Sequence, residues 1–134
     1  MMKKGKKLLT SPITFVATAN SSLFCGGETI FADIDSSTIN ISIDSINKVI
    51  SKKKFHALAP VHFGGLPCDM KKIKKIANEV GAMIYEDAAH AFGTYYQNKL
   101  VGSFGDIACF SFDGIKNIII TSSKYDFITI NIQY

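Results

Sequence analysis

The stretch DMKKIKKIANEVGAMIYEDAAH, residues 69–90, decides the fold. Its first half sets Met70, Ile73, Ile76, Ala77 and Val80 on one helical stripe and turns Lys71, Lys72, Lys74 and Lys75 to the other side. Asp69 stands at the N-cap position after Pro67 and Cys68, which gives it a structural rather than a catalytic part. After Gly81 comes a short apolar run, Ala82 to Tyr85, that ends in Glu86 and Asp87 with His90 three residues on. An amphipathic helix feeding a short apolar strand is the repeating unit of a parallel sheet with crossover helices.

The same alternation extends outward in both directions. Further short apolar runs read as strands at Leu8 to Thr10, Thr29 to Ala32, Ala57 to Val61 and Ile107 to Phe112. Phe15 to Phe24 reads as a helix stopped by Gly26 and Gly27, and Ser42 to Ile50 as a second, with Ile43, Ile46 and Ile50 on one face. Phe63-Gly64-Gly65-Leu66 reads as a tight turn; it lacks the spacing of a dinucleotide fingerprint. Past Lys116 the character changes, and a β-branched stretch to Tyr134 predicts one further strand. The fold class is therefore α/β, with a mostly parallel sheet.

A chain of 134 residues holds one packed unit or part of one, and its apolar content of 47% is ample for a core. All fifteen basic residues are lysine. Without arginine forks, and with the lysines in short runs lacking interleaved aromatics, the net charge of +4 reads as solvated faces and argues against nucleic acid as a partner. Cys25, Cys68 and Cys109 are widely separated and odd in number, so neither a disulfide framework nor a zinc site is implied. No run reaches membrane-spanning length and the N-terminus lacks a signal-peptide core, which makes the cytoplasm the expected location.

In an open α/β sheet, ligands sit beyond the carboxyl ends of the strands. Two strands deliver reactive groups there: one carries Asp87 and His90, the other Ser111 and then Lys116. Taken singly, Asp87 with His90 reads as a turn or cap, Ser111 as a half-buried strand hydroxyl and Lys116 as a solvated side chain.

Jointly they carry more. The segments SPITFVATAN at 11–20, PVHFGGLPCDM at 60–70 and EDAAHAFGTYY from Glu86, followed by NKLVGSFGDIACFSF and DGIKN, closely resemble the DegT/DnrJ/EryC1/StrS family of sugar aminotransferases over roughly Gly5 to Ile120. The resemblance implies a fold-type I large domain that uses pyridoxal 5'-phosphate. By matching position, Asp87 would contact the pyridine nitrogen and Lys116 would form the Schiff base. His90 would lie by the ring and its O3′, Ser111 would bind cofactor phosphate, and Phe15 would stack on the ring. A carboxylate at the ring nitrogen favours the pyridinium and so the electron sink, and a lysine amine can serve first as nucleophile and then as base.

The resemblance further implies glutamate as amino donor, a keto sugar on a nucleoside diphosphate as acceptor, a role in polysaccharide or glycan synthesis, and a homodimer. Relatives carry a phosphate-binding segment ahead of residue 5 and a GEGG-like turn after the lysine, and they often have histidine and proline where Asp113 and Gly114 stand. The expectation is thus a large domain truncated at both ends over 1–120, a divergent tail over 121–134, and an inactive piece prone to aggregate. Two alternatives stand beside it. One is a non-catalytic α/β binding module. The other is a pyridoxamine-phosphate-dependent sugar dehydratase, which lacks the aldimine lysine and against which Lys116 speaks.

Overall fold

A computed structural model describes residues 2–113, Lys116 and, as backbone, 127–130. The strands are β1 (Lys7–Thr10), β2 (Glu28–Phe31), β3 (Ala57–Ala59), β4 (Met83–Asp87), β5 (Tyr95–Tyr96), β6 (Lys99–Leu100), β7 (Ile107–Ser111) and β8 (Phe127–Ile130); the helices are α1 (Val16–Phe24), α2 (Ile43–Ile50) and α3 (Met70–Val80). One six-stranded sheet runs β2-β1-β3-β4-β7-β8. Its first five strands are parallel, as the alternation demanded, and β8 alone is antiparallel to β7. The further strand expected in the tail is β8; the rest of the tail, including Ile118 to Ile120, lies outside the described residues.

Helix ends follow their sequence signals. Asp69 caps α3 by accepting the Lys72 amide at 3.2 Å, and also accepts the Tyr96 hydroxyl at 2.7 Å. Gly81 closes α3 in the left-handed conformation at φ 66°, where a side chain would be strained. Ser42 caps α2 through the Ser45 amide at 3.3 Å. Phe15, expected inside the first helix, is instead its extended N-cap residue at ψ 138°.

Two strand ends differ from expectation for identifiable reasons. β3 stops at Ala59 rather than Val61 because Pro60 has no N–H to continue the ladder; Val61 survives as an isolated bridge to Asp87. β4 continues past Tyr85 to Asp87, since the Glu86 carboxylate finds donors inside the fold. The β5–β6 hairpin has no counterpart in the sequence reading. Its two strands are two residues each, joined by Gln97 and Asn98 at φ 48° and 63°, a turn of the primed kind.

The core is asymmetric about the sheet. Leu9, Leu58 and Ile84 pack with Ile46, Phe55, Met70, Ile73 and Ala77 beneath α2 and α3. On the opposite face Leu8, Ala57 and Ala59 form a thinner cluster with Met2 and Tyr85. A third cluster, Ala88, Ala91, Val101, Ala108, Phe110 and Phe112, seats the end of β7. Among the described residues no helix is long and apolar enough to cross a membrane.

Candidate active site

Asp87 closes β4, and its backbone is held from the β3 side. The Pro60 carbonyl accepts the Asp87 amide at 2.9 Å and the Asp87 carbonyl accepts the His62 amide at 3.0 Å. Its carboxylate is held as well: Oδ2 accepts the Thr18 hydroxyl from α1 at 2.5 Å, and Oδ1 accepts the Ala89 amide at 3.2 Å. Each carboxylate oxygen keeps a further lone pair for a ligand donor.

His90 follows in the turn after β4. Its Nδ1 accepts the Gly64 amide at 3.3 Å, and its Nε2 lies 2.9 Å from Lys116 Nζ. With Nδ1 used as an acceptor, a neutral imidazole carries its proton on Nε2, the nitrogen that faces Lys116. The Gly64 amide can reach the ring because Gly64 sits at φ 59°, a conformation that a side chain would strain. Asn40, nearly buried, fixes that turn from both ends by accepting the Phe63 amide and donating to the Leu66 carbonyl, each at 2.9 Å.

Behind the acid stands a buried pair. Glu86 accepts the Gly102 amide at 2.8 Å, the Phe104 amide at 2.7 Å, the Gly105 amide at 2.5 Å and His62 Nε2 at 3.2 Å. His62 Nδ1 accepts the Cys68 amide at 3.0 Å, so the proton shared with Glu86 is on Nε2. Burial opposes ionisation of Glu86, but the bonds from His62, Gly105 and Gly102 outweigh it and hold the carboxyl below the usual carboxylate range. Gly105 has no room for a side chain: a Cβ there would come within 2.9 Å of Ile84. Burial pushes the Cys68 thiol up to about 12, so it is no nucleophile.

The fold therefore brings Lys116 to His90 and Asp87 to Thr18. Ser111 ends β7, largely buried, and its Oγ accepts the Asp113 amide at 3.5 Å. Because Asp87 is in register with Cys109, Ser111 lies roughly 7 Å further along the neighbouring strand. Phe15 is 70% exposed at the start of α1, three residues before Thr18. Among the described residues no hydrogen bond or ring contact joins Ser111 or Phe15 to the other three, and no cluster of His, Cys, Asp and Glu could hold a metal.

Sequence reasoning did not single out Thr18, Asn40, Gly64, Glu86 or His62 for the site. Thr18 lay inside the quoted TFVAT segment, and Glu86 beside Asp87; strand alternation was the available signal that neighbouring acids face opposite ways. The groups present fit pyridoxal phosphate. A carboxylate with open lone pairs suits the ring nitrogen, an amine on an imidazole suits the aldehyde, and an exposed aromatic opens the same helix that orients the carboxylate.

The model of the DegT/DnrJ/EryC1/StrS aminotransferase family matches residues 1–123. The spore coat polysaccharide biosynthesis protein SpsC of Bacillus subtilis is 42% identical over 114 residues, which are 85% of this chain and 29% of that protein. GDP-perosamine synthase of Escherichia coli O157:H7 is 38% identical over 117 residues, 87% of this chain and 32% of the synthase. Among solved structures, the aminotransferase from Psychrobacter cryohalolentis superposes with a TM-score of 0.84 at 34% identity, over 88% of this chain and 30% of that one. The chain thus spans about a third or less of the length of these relatives.

Proposed function

The chain belongs to the DegT/DnrJ/EryC1/StrS aminotransferase family, and from that premise we propose that it represents part of the large domain of an enzyme that moves an amino group onto a sugar. The donor is glutamate and the acceptor a keto sugar on a nucleoside diphosphate. The product feeds polysaccharide or glycan synthesis in the cytoplasm, and the cofactor is pyridoxal phosphate. Relatives named for GDP-perosamine and for spore coat polysaccharide support the acceptor class. The observation that carries the reading is the 2.9 Å approach of Lys116 Nζ to His90 Nε2, beside the strand that ends in Asp87.

When bound, the cofactor supplies an electron-poor pyridine ring that stabilises negative charge on a substrate carbon. The chain's own residues do the rest. Asp87, fixed at both oxygens, offers an anionic acceptor to the ring nitrogen. His90 Nε2, 2.9 Å from Lys116 Nζ, holds the amine in place; once its lone pair is released from that contact, the amine attacks a carbonyl and later takes a proton from the substrate carbon. Ser111 Oγ serves the phosphate and Phe15 covers a ring face. Residues 1–120 form the cofactor-binding part and 121–134 a divergent tail. In the whole protein the site lies at a homodimer interface; as a separate polypeptide this piece turns over no sugar.

The test needs no knowledge of the sugar. Purified chain is mixed with pyridoxal phosphate, reduced with borohydride, digested and mapped. The expected result is a pyridoxyl group on Lys116 that disappears in Lys116→Ala. An adduct at another lysine, or none on folded protein, removes the aminotransferase site from this chain and leaves a binding module.

A further inference from the structure

The proposed mechanism asks Asp87 to meet a ring nitrogen in one orientation, yet a carboxylate at the end of a strand is free to turn about two side-chain bonds. The backbone of Asp87 is clamped by Pro60 and His62, so those two torsions are the remaining freedom. Ala89 restrains one oxygen weakly, at 3.2 Å from a neighbouring amide. The short bond comes from across the fold. Thr18, in the first turn of α1 and 69 residues away in sequence, donates to Oδ2 at 2.5 Å. A helical threonine ordinarily turns its hydroxyl back to the carbonyl one turn earlier; here it reaches out of the helix instead.

We propose that Thr18 is a positioning residue for Asp87: its hydroxyl sets the carboxylate so that the unused lone pairs point at the cofactor ring nitrogen. The same bond fixes the start of α1, and with it Phe15, relative to the acid. The face that covers the ring and the group that meets the nitrogen are thereby registered to each other by one hydrogen bond. This inference rests on the reading of Asp87 as the partner of the ring nitrogen, and the experiment separates the two.

Binding of pyridoxal phosphate and of its 1-deaza analogue, in which a C–H replaces the ring nitrogen, is titrated by absorbance on wild type, Thr18→Val and Thr18→Ser, with circular dichroism as a check on folding. Wild type is expected to favour the nitrogen-bearing ligand. Thr18→Val loses about tenfold of that preference, the worth of one hydrogen bond to a charged group, while its affinity for the deaza analogue is unchanged. Thr18→Ser restores the preference.

If Thr18→Val weakens both ligands equally, Thr18 only holds the helix and the inference falls. If wild type does not distinguish the ligands, or binds neither, the role of Asp87 falls first and Thr18 with it. The apo chain gives a further readout: the side-chain carboxyl carbon-13 resonance of Asp87 moves in Thr18→Val and returns in Thr18→Ser. A resonance that does not move overturns the hydrogen bond itself.

Discussion

Glu86 and Asp87 are neighbours in sequence and opposite in kind. Asp87 keeps lone pairs for a ligand, whereas Glu86 has its two oxygens filled by three amides and an imidazole, with the side chain wholly buried. Removing the Glu86 carboxylate strands those donors, so Glu86→Ala is expected to cost about 3–5 kcal/mol in urea unfolding. The pH dependence has a definite sign. The folded carboxyl lies below its ordinary value of 4.5, so its contribution is present above about pH 4.5 and is lost as pH falls through the folded value. The urea midpoint of wild type should hold above that pH and decline below it, and Glu86→Gln should flatten the decline. Of the site residues, Asp87, His90 and Lys116 were singled out by the family resemblance of the segments that follow two strands, and the structure sets Lys116 against His90. Glu86 and Thr18 were not, since their roles depend on partners far along the chain that no local pattern names.

Among the elements, α3 was the most legible. Its stripe is buried, with Met70, Ile73 and Ala77 wholly inside and all four lysines exposed. Ile73→Ala should lose about 2–5 kcal/mol by chemical denaturation, while Lys74→Ala should stay within about 0.5 kcal/mol of wild type. The β5–β6 hairpin was illegible for a physical reason: two-residue strands show no alternation, and its stability comes from outside. Tyr96 donates to Asp69 on α3 and stacks edge-on against Phe104 at 5.5 Å, so its anchors are tertiary. The early end of β3 was, by contrast, available in Pro60, whose missing N–H outweighed the apolar character of Val61.

At the scale of the molecule, the sheet has a bare side. β2 is an edge strand, with Phe31 half-exposed, and α1 beside it exposes Val16, Leu23 and, at 84%, Phe24. A row of unpaired backbone groups next to apolar side chains invites self-association. Phe31→Lys should move the onset of light scattering to higher protein concentration without changing the circular dichroism spectrum; an unchanged onset would place the association elsewhere. The overall architecture was legible because alternation of helix and strand admits few parallel arrangements, and the antiparallel β8 was not, because a single β-branched stretch carries no direction. The pairing of a filled acid with an open one on β4 also sets how much the chain can change in length. Strand side chains alternate faces, so deleting or inserting one residue between Met83 and Glu86 would turn the open acid inward and the filled one outward, undoing anchor and site in one event. The tip at Gln97 and Asn98, outside the large sheet, has no such constraint. Gain or loss of codons is therefore better tolerated at the hairpin tip than in β4, which is left to change by substitution alone.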